Sequence, residues 1–466
     1  MKRATFVLSM LLLFLSTACN LGEELSSNHE DDYSDSGEEV EESGYFIMGD
    51  THYPELAMCP PMEMTFVTDL DVHQTPDLPE PDPRTPFQDP VFGTCIVRVT
   101  DRHTDILNPY DPSKGMKNEY ARVQSFNADD SLLMARSIES YWYVYDVGSL
   151  TPLGEVPVSV EPRWDSQNPV LLYYTDETRL TSYDIRTGEI NVIRDFAEDF
   201  PGVDLAAVWT RYEGSPSYDT RTWGLLANDS DWNPYAFLIY DMQTDGLVIR
   251  EIPPGYSIDN VTISPLGNYL LASFDEYCEE GQVGSDAHPC GLMVYDRNLE
   301  NGRSLLRIIG HYDAMLDADG KEVILYQDID TDNISMLDLE SGVVSPLFPI
   351  DFSHTAIGFH FSGRASNLPG WGLVSTSNGG YPRDQTWMDD SIFAVELKAN
   401  GRVVRLAHTH SLYDENMEQD YWAEPHASVN RDFTRIVFTS NWGRTGTEEV
   451  DMYMIVLPDD WIEMVE

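Results

Sequence analysis

The chain has 466 residues, 28 Lys+Arg against 80 Asp+Glu, and a formal net charge of −52. Such an excess of carboxylates excludes nucleic acid as a partner, because a phosphate backbone is held by clustered cations. It suits a heavily hydrated protein outside the cytoplasm.

The first elements are processing signals. Lys2 and Arg3 form a charged n-region, and Phe6 to Leu15 form an apolar core too short to span a bilayer, so residues 1–18 read as a signal peptide. Leu15-Ser16-Thr17-Ala18-Cys19 resembles the lipobox of bacterial lipoproteins, with Ser16 where alanine, threonine or leucine is more usual. The resemblance implies lipidation of Cys19 and a lipid anchor in the bacterial cell envelope. The alternative is an ordinary secretory signal with a chance cysteine. No later segment is long and apolar enough to cross a membrane.

Residues 19–44, with "GEELSSNHEDDYSDSGEEVEESG", have almost nothing to bury and read as a disordered tether. Residues 45–91 form an irregular segment ending in "TPDLPEPDPRTPFQDP". Its prolines deny helix and strand ladders, so it is expected to lie across the surface of the domain that follows. With Cys19 assigned to lipid, the remaining cysteines are even in number in an oxidising compartment. Cys278 and Cys290 bracket one loop and are expected to pair, which leaves Cys59 with Cys95. None of them has the CxxC spacing of a metal site.

From Phe92 onward one theme repeats: short β-rich runs closed by "YD-x-x-T/S-G", as in "VYDVGS", "SYDIRTG", "IYDMQTDG", "VYDRNLENG" and "LDLESG". Upstream of these lie "SFNADDSLLMA", "TISPLGNYLLAS", "MLDADGKEVILY" and "SVNRDFTRIVFTS". They resemble the "SPDG" turns of TolB-like propeller repeats, where Asp and Gly supply a hairpin. The units run about 40 to 55 residues, the length of a four-stranded propeller blade. They begin near Tyr120, Glu161, Asp204, Ile258, His311, Thr355 and Glu424. The fold class is therefore all-β, a single β-propeller over residues 92–466 with about seven blades. The last unit has only about three strands of its own, so "GTCIVRVTD" (Gly93 to Asp101) is expected to complete it and close the ring. A large β-sandwich is the alternative fold, but it predicts no regular repeat.

In a propeller the innermost strands all start on one face, at the mouth of the central channel. The segments assigned there carry Arg102 and His103, Arg122, Glu161 and Arg163, and His311 and Asp313. They also carry His354 and His360, His408 and His410, and Glu424 and His426. Counting back from the inner turns puts Asp313, His360 and His426 at equivalent, inward-pointing positions. Histidine and glutamate without thiolates suit a divalent ion such as Mn²⁺, Zn²⁺ or Ca²⁺. Alternate residues of a strand face the same way, so Glu424 with His426, and His408 with His410, can each act as a pair. The long loops "NGGYPRDQTWMDD" and "SNWGRTGTEEVD" bring Tyr381, Trp387 and Trp442 near the same face, where aromatics can stack on sugars or simply cover the blades. "SGRASNLPGW", with Arg364, falls on the opposite face. The aspartates of "QDIDTDN" read as a turn, since the loop lacks the glycine and final glutamate of an EF-hand.

The repeats, the histidine-rich mouth and the closing "EPHASVNRDFTRIVFTSNWG" resemble the β-propeller polysaccharide lyases, oligogalacturonate lyases especially. Those end in a similar "HPHPSFSPDG"-type strand whose histidines bind a metal. The resemblance covers Phe92 to Pro458 and is specific around the last three blades. His426 matches the second histidine of that motif, and Glu424 replaces the first.

The implied reaction is β-elimination at a uronic acid, which needs positive charge on the sugar carboxylate and a base near its C5 proton. His360, His426, Glu424 and one of His408 and His410 are then the expected ion ligands. His311 is the expected base, with His103 as the second choice. Arg163 or Arg122 is expected to fix the carboxylate, and Arg102, Asp313 and Trp442 to contact substrate. A monomer acting on carbohydrate is expected. The competing reading is a non-catalytic propeller that binds a protein or glycan.

Overall fold

The computed structural model describes residues 48–49, 53–59, 65–355, 357–378, 386–414 and 416–465. The signal peptide, Cys19, the tether and Tyr381 lie outside them. Strands dominate, and the only helical elements among the described residues are the short 3-10 turns Phe196–Asp199, Glu418–Ala423 and Trp461–Met464. No helix among them is long and apolar enough to cross a membrane.

The turn chemistry explains the repeat. In each closure the aspartate ends the third strand of a sheet, and its side chain accepts hydrogen bonds from the next turn's backbone. Asp146 accepts from Ser149 N at 2.7 Å, Asp184 from Arg186 N at 2.9 Å, and Asp338 from Ser341 N at 2.7 Å. An Asx turn of this kind satisfies the backbone where the ladder ends and directs the chain into the outer strand. The inner turns use the same device: Asn430 Oδ1 accepts from both Thr434 N and Arg435 N at 2.8 Å.

Seven antiparallel sheets result, six four-stranded and one five-stranded. The molecule is a seven-bladed β-propeller. The inner strands are Met116–Lys117, Val160–Trp164, Leu205–Trp209, Ile258–Ile263, Tyr312–Leu316, Ile357–Ser362 and Ser428–Val429. Blade seven continues through Arg435–Ser440 and Asp451–Val456, and Cys95–Arg98 then pairs with Asp451–Val456 as its fourth strand. The expected ring closure is what the chain does, and Phe87–Gln88 adds a fifth, outermost strand.

Closure is sealed by packing: Val97, Val437 and Met454 of blade seven meet Phe126, Leu133 and Tyr143 of blade one in one buried cluster. Fully burying such side chains is worth roughly 1.5–3 kcal/mol each. The outer strand of blade two, Glu189–Asp195, is exposed or half-buried throughout, whereas that of blade six, Val403–His408, is buried.

Residues 65–91 run over the outer edge of blades six and seven as a strap. Val67 bridges to Arg405, the His73 carbonyl meets His408 Nε2 at 2.9 Å, and Trp442 Nε1 donates to Leu78 O at 3.0 Å. Disulfides join Cys59 to Cys95 and Cys278 to Cys290.

Candidate metal centre at the channel mouth

His360 projects from the inner strand of blade six, while Glu424 and His426 precede the two-residue inner strand of blade seven. The inner strand begins only at Ser428, so Glu424 and His426 do not converge by strand alternation. His426 turns instead through a left-handed backbone, φ 43°. A non-glycine residue keeps such a conformation only where its surroundings fix it. Asn118 Nδ2 donates to His426 O at 2.6 Å, and Thr439 Oγ1 donates to Asn118 Oδ1 at 2.8 Å.

The result is a buried triad. Glu424 Oε2 lies 3.2 Å from His426 Nε2 and 3.3 Å from His360 Nε2. The two imidazole rings stand edge to face with centroids 4.2 Å apart. Burial first, then the neighbouring Lys117 and His360 charges, hold His426 well below its ordinary pKa against the pull of Glu424. Burial, then His311, Lys117 and Arg122, do the same to His360. Both rings are therefore neutral ligands near pH 7.

Three donors with all ligand atoms within 4.8 Å of one another fit a divalent cation. A second observation agrees with the donor chemistry. Neither ring nitrogen of His360 is hydrogen-bonded to a described residue, and an unmade buried bond costs on the order of 1–3 kcal/mol. The three residues present fit a divalent ion in donor type and spacing.

Several groups around the triad were not singled out from the sequence. Lys117 Nζ lies 3.1 Å from His426 Nδ1 and 3.3 Å from Glu119 O. Burial and the Arg136 charge push this amine down to about 7, against Glu424, Glu119 and Glu213. Tyr120 packs its ring 4.6 Å from His426. Glu213 reaches in from blade three to pair with Arg122, and burial raises its carboxyl to about 7 despite that partner. The signal for Lys117 was its place two residues after Gly115, ahead of the assumed blade start at Tyr120. Glu213 left no periodic signal, because it lies in the irregular segment after the inner strand Leu205–Trp209 ends.

The other predicted residues divide by depth. His311, partly exposed at the mouth, stacks on His360 with centroids 4.4 Å apart, and burial lowers its pKa. Arg122 donates to Asn260 Oδ1 at 3.1 Å and to Glu213, and lies 4.6 Å over the Tyr312 ring. Arg163 is near but occupied. It donates to both Glu119 oxygens at 3.0 and 2.9 Å and to the carbonyls of Pro162, Tyr212 and Gly214. It therefore braces the fold rather than offering a free fork to substrate. Glu161 is likewise structural, accepting from Thr210 N at 2.9 Å and from Tyr212 N.

His408 and His410 require correction as ligands, for they are not in the cluster. They leave the outer strand of blade six, so they start at the periphery instead of the axis. His408 packs 4.7 Å from Phe92, and His410 stacks 4.1 Å from Trp442. Trp442 is thereby buried under the strap and does not face the mouth.

Arg102 is also peripheral, bound to Glu80 at 2.9 Å and to Asp451. His103 stands on the exposed turn just beyond it, with its backbone N donating to Asp101 Oδ1 at 3.2 Å. Asp313 lies deeper in the channel, held by Arg364 at 3.0 Å and by Gly363 N at 2.6 Å. The widened inner turn thus supplies Asp313 with its counter-ion, and no free carboxylate faces a sugar there.

No protein-family model matches the chain, and no curated protein matches it in sequence. Many solved structures match in fold, two oligogalacturonate lyases among them. One is an oligogalacturonate lyase in complex with manganese, 15% identical, with TM-score 0.54 over 87% of this chain and 99% of that one. The other is an oligogalacturonate lyase from Vibrio parahaemolyticus, 12% identical, with TM-score 0.53 over 81% of this chain and 97% of that one. The chain shares the fold of these lyases over nearly their whole length.

Proposed function

We propose that the protein is a metal-assisted lyase that cleaves uronate-containing oligosaccharides by β-elimination, carried on a lipid anchor in the bacterial cell envelope. The observation that carries the catalytic part is the convergence of His360, Glu424 and His426 at the mouth, with His360 left unsatisfied. A manganese-bound lyase of the same fold is consistent with it. A divalent cation held by these three residues would act as a Lewis acid on the sugar carboxylate, acidifying the C5 proton.

The chain's own residues supply the rest. His311 is the base: a neutral imidazole at the mouth, stacked on a ligand ring and open to substrate. It takes the C5 proton, the electron pair forms the C4–C5 double bond, and the C4–O bond breaks. The leaving oxygen takes a proton from solvent water, and His311 returns the C5 proton to solvent, which restores the neutral base. Arg122, kept charged beside Glu213 and between the Tyr120 and Tyr312 rings, supplies fixed positive charge near the anionic intermediate.

The test is metal analysis of the purified protein together with absorbance of the conjugated product on uronate oligosaccharides. The expected result is about one divalent ion per chain and product formation abolished by chelation. His311→Ala is expected to lower kcat by about 100-fold or more with metal content unchanged. A metal-free protein inert on every uronate tried would falsify the lyase reading and leave a binding propeller.

A further inference from the structure

Blade three carries an aromatic cluster that the triad does not use. After its inner strand, Leu205–Trp209, the chain bulges: Arg211 and Tyr212 take φ 60° and 74° in succession. Two consecutive bulky residues in the left-handed region are unfavourable unless held. Glu161 accepts both flanking amides, and Arg163 clamps the carbonyls of Tyr212 and Gly214. The bulge turns Glu213 toward Arg122 in the channel and leaves Tyr212 on the rim, 39% exposed.

Tyr212 meets Trp209 edge to face, with centroids 4.8 Å apart, and Trp209 meets Trp232 at 5.8 Å. Trp232 sits in the turn between the second and third strands, which opens on the same face as the inner-strand starts. It is 50% exposed, with φ 63°. One residue ties the pair together: Asn228 Oδ1 accepts from the Trp209 indole Nε1 at 2.8 Å, while Asn228 Nδ2 donates to the backbone carbonyl of Trp232 at 2.8 Å. A core needs no half-exposed tryptophan here, and the Trp232 ring, carried on a held backbone and packed on the tethered Trp209 indole, has less freedom to lose on binding.

Beside the rings stands Arg211. Among the described residues it closes no ion pair and donates no hydrogen bond, although Glu213, Tyr212 and Asp275 feel its charge. In a chain with 80 acidic residues, an arginine left without an ion-pair partner needs a reason. Rings that stack on a pyranose, next to a fork that matches a carboxylate, select an acidic sugar over a neutral one.

We propose that Trp209, Tyr212 and Trp232 with Arg211 form a second, non-catalytic subsite on the rim of blade three, which seats a uronate residue of the substrate away from the bond that breaks. The proposal rests on the lyase reading for its ligand class. It makes the enzyme selective for length, since an oligomer must reach from the triad to the rim to gain these contacts.

The test is calorimetric titration of the full chain with tetragalacturonate and with digalacturonate, each mixture also followed for unsaturated product. Trp232→Ala and Arg211→Gln are each expected to weaken tetramer binding about tenfold. Both should shrink the ratio of tetramer to dimer affinity, with Arg211→Lys recovering part of the loss. Both positions are on the rim, so melting temperatures of the three variants should stay within the wild-type range. Tetramer affinity within about twofold of wild type in both variants overturns the subsite, and product formed at the wild-type rate would leave the lyase standing. Weakened binding in the variants with no product from any chain overturns the lyase and keeps the subsite. A wild-type protein that does not bind tetragalacturonate overturns the subsite outright.

Discussion

Both imidazoles of the triad already approach one oxygen of Glu424, so a cation entering between them would take the place of the His426–Glu424 hydrogen bond and meet three donors at once. Glu424→Gln keeps the shape but loses the charge and the stronger donor. It should weaken Mn²⁺ or Zn²⁺ binding at least about tenfold, by analogy with the 10- to 100-fold losses seen when supporting groups of metal sites are removed. Glu424→His puts an imidazole donor in place of the carboxylate, and it should hold the ion more tightly than Glu424→Gln does. Competition with a chromophoric chelator measures both constants. Equal affinity in wild type and Glu424→Gln would remove the carboxylate from the site.

At the scale of elements, the strap covers the outer edge of blades six and seven and is held there in part by half-buried charge. Its Glu80 carboxyl is pushed up by burial, yet hydrogen bonds from Arg444 and Arg102 and the charge of Arg98 bring it down to about 2. A carboxyl whose folded pKa is depressed stabilises the fold above its unfolded pKa, and that contribution is lost as pH falls toward the folded value. Glu80→Gln should therefore destabilise the protein by on the order of 2 kcal/mol at pH 7. The gap between variant and wild type should close as pH falls from about 4.5 toward 2, read by urea unfolding at each pH. A gap independent of pH would mean that Glu80 acts by packing alone.

The strap also marks the limit of what was legible. Blade starts such as Ile258 are local facts, since Asx turns and strand lengths announce them, and ring closure followed from a last blade one strand short. Distance from the axis is not local. Period-two alternation predicts that His408 and His410 share a side, but not that this side lies at the outer edge beneath His73 and Phe92. Lys117 escaped because the inner strand of blade one is broken. Only Met116–Lys117 and an isolated Phe126–Leu133 bridge pair with the next strand, so the run from Asn118 to Ser125 masks the true start.

For the whole molecule, a net charge of −52 sets a long-range repulsion against any oligouronate, while the attraction needed for binding is local. The positive group at the mouth, Arg122, is buried close to where the anion must sit, so dissolved ions screen it little. The acidic surface is screened fully. Because the Debye length falls from about 30 Å at 0.01 M to about 8 Å at 0.15 M, added salt removes the far repulsion before it weakens the near attraction. kcat/KM for tetragalacturonate should then rise severalfold between about 0.01 and 0.15 M sodium chloride at fixed divalent ion, and rise less for digalacturonate, which carries fewer charges. An enzyme steered by a cationic surface shows the opposite slope. Steady-state rates over that salt range measure the sign directly, and a fall with salt would mean that the local field of the mouth, rather than the acidic shell, governs encounter.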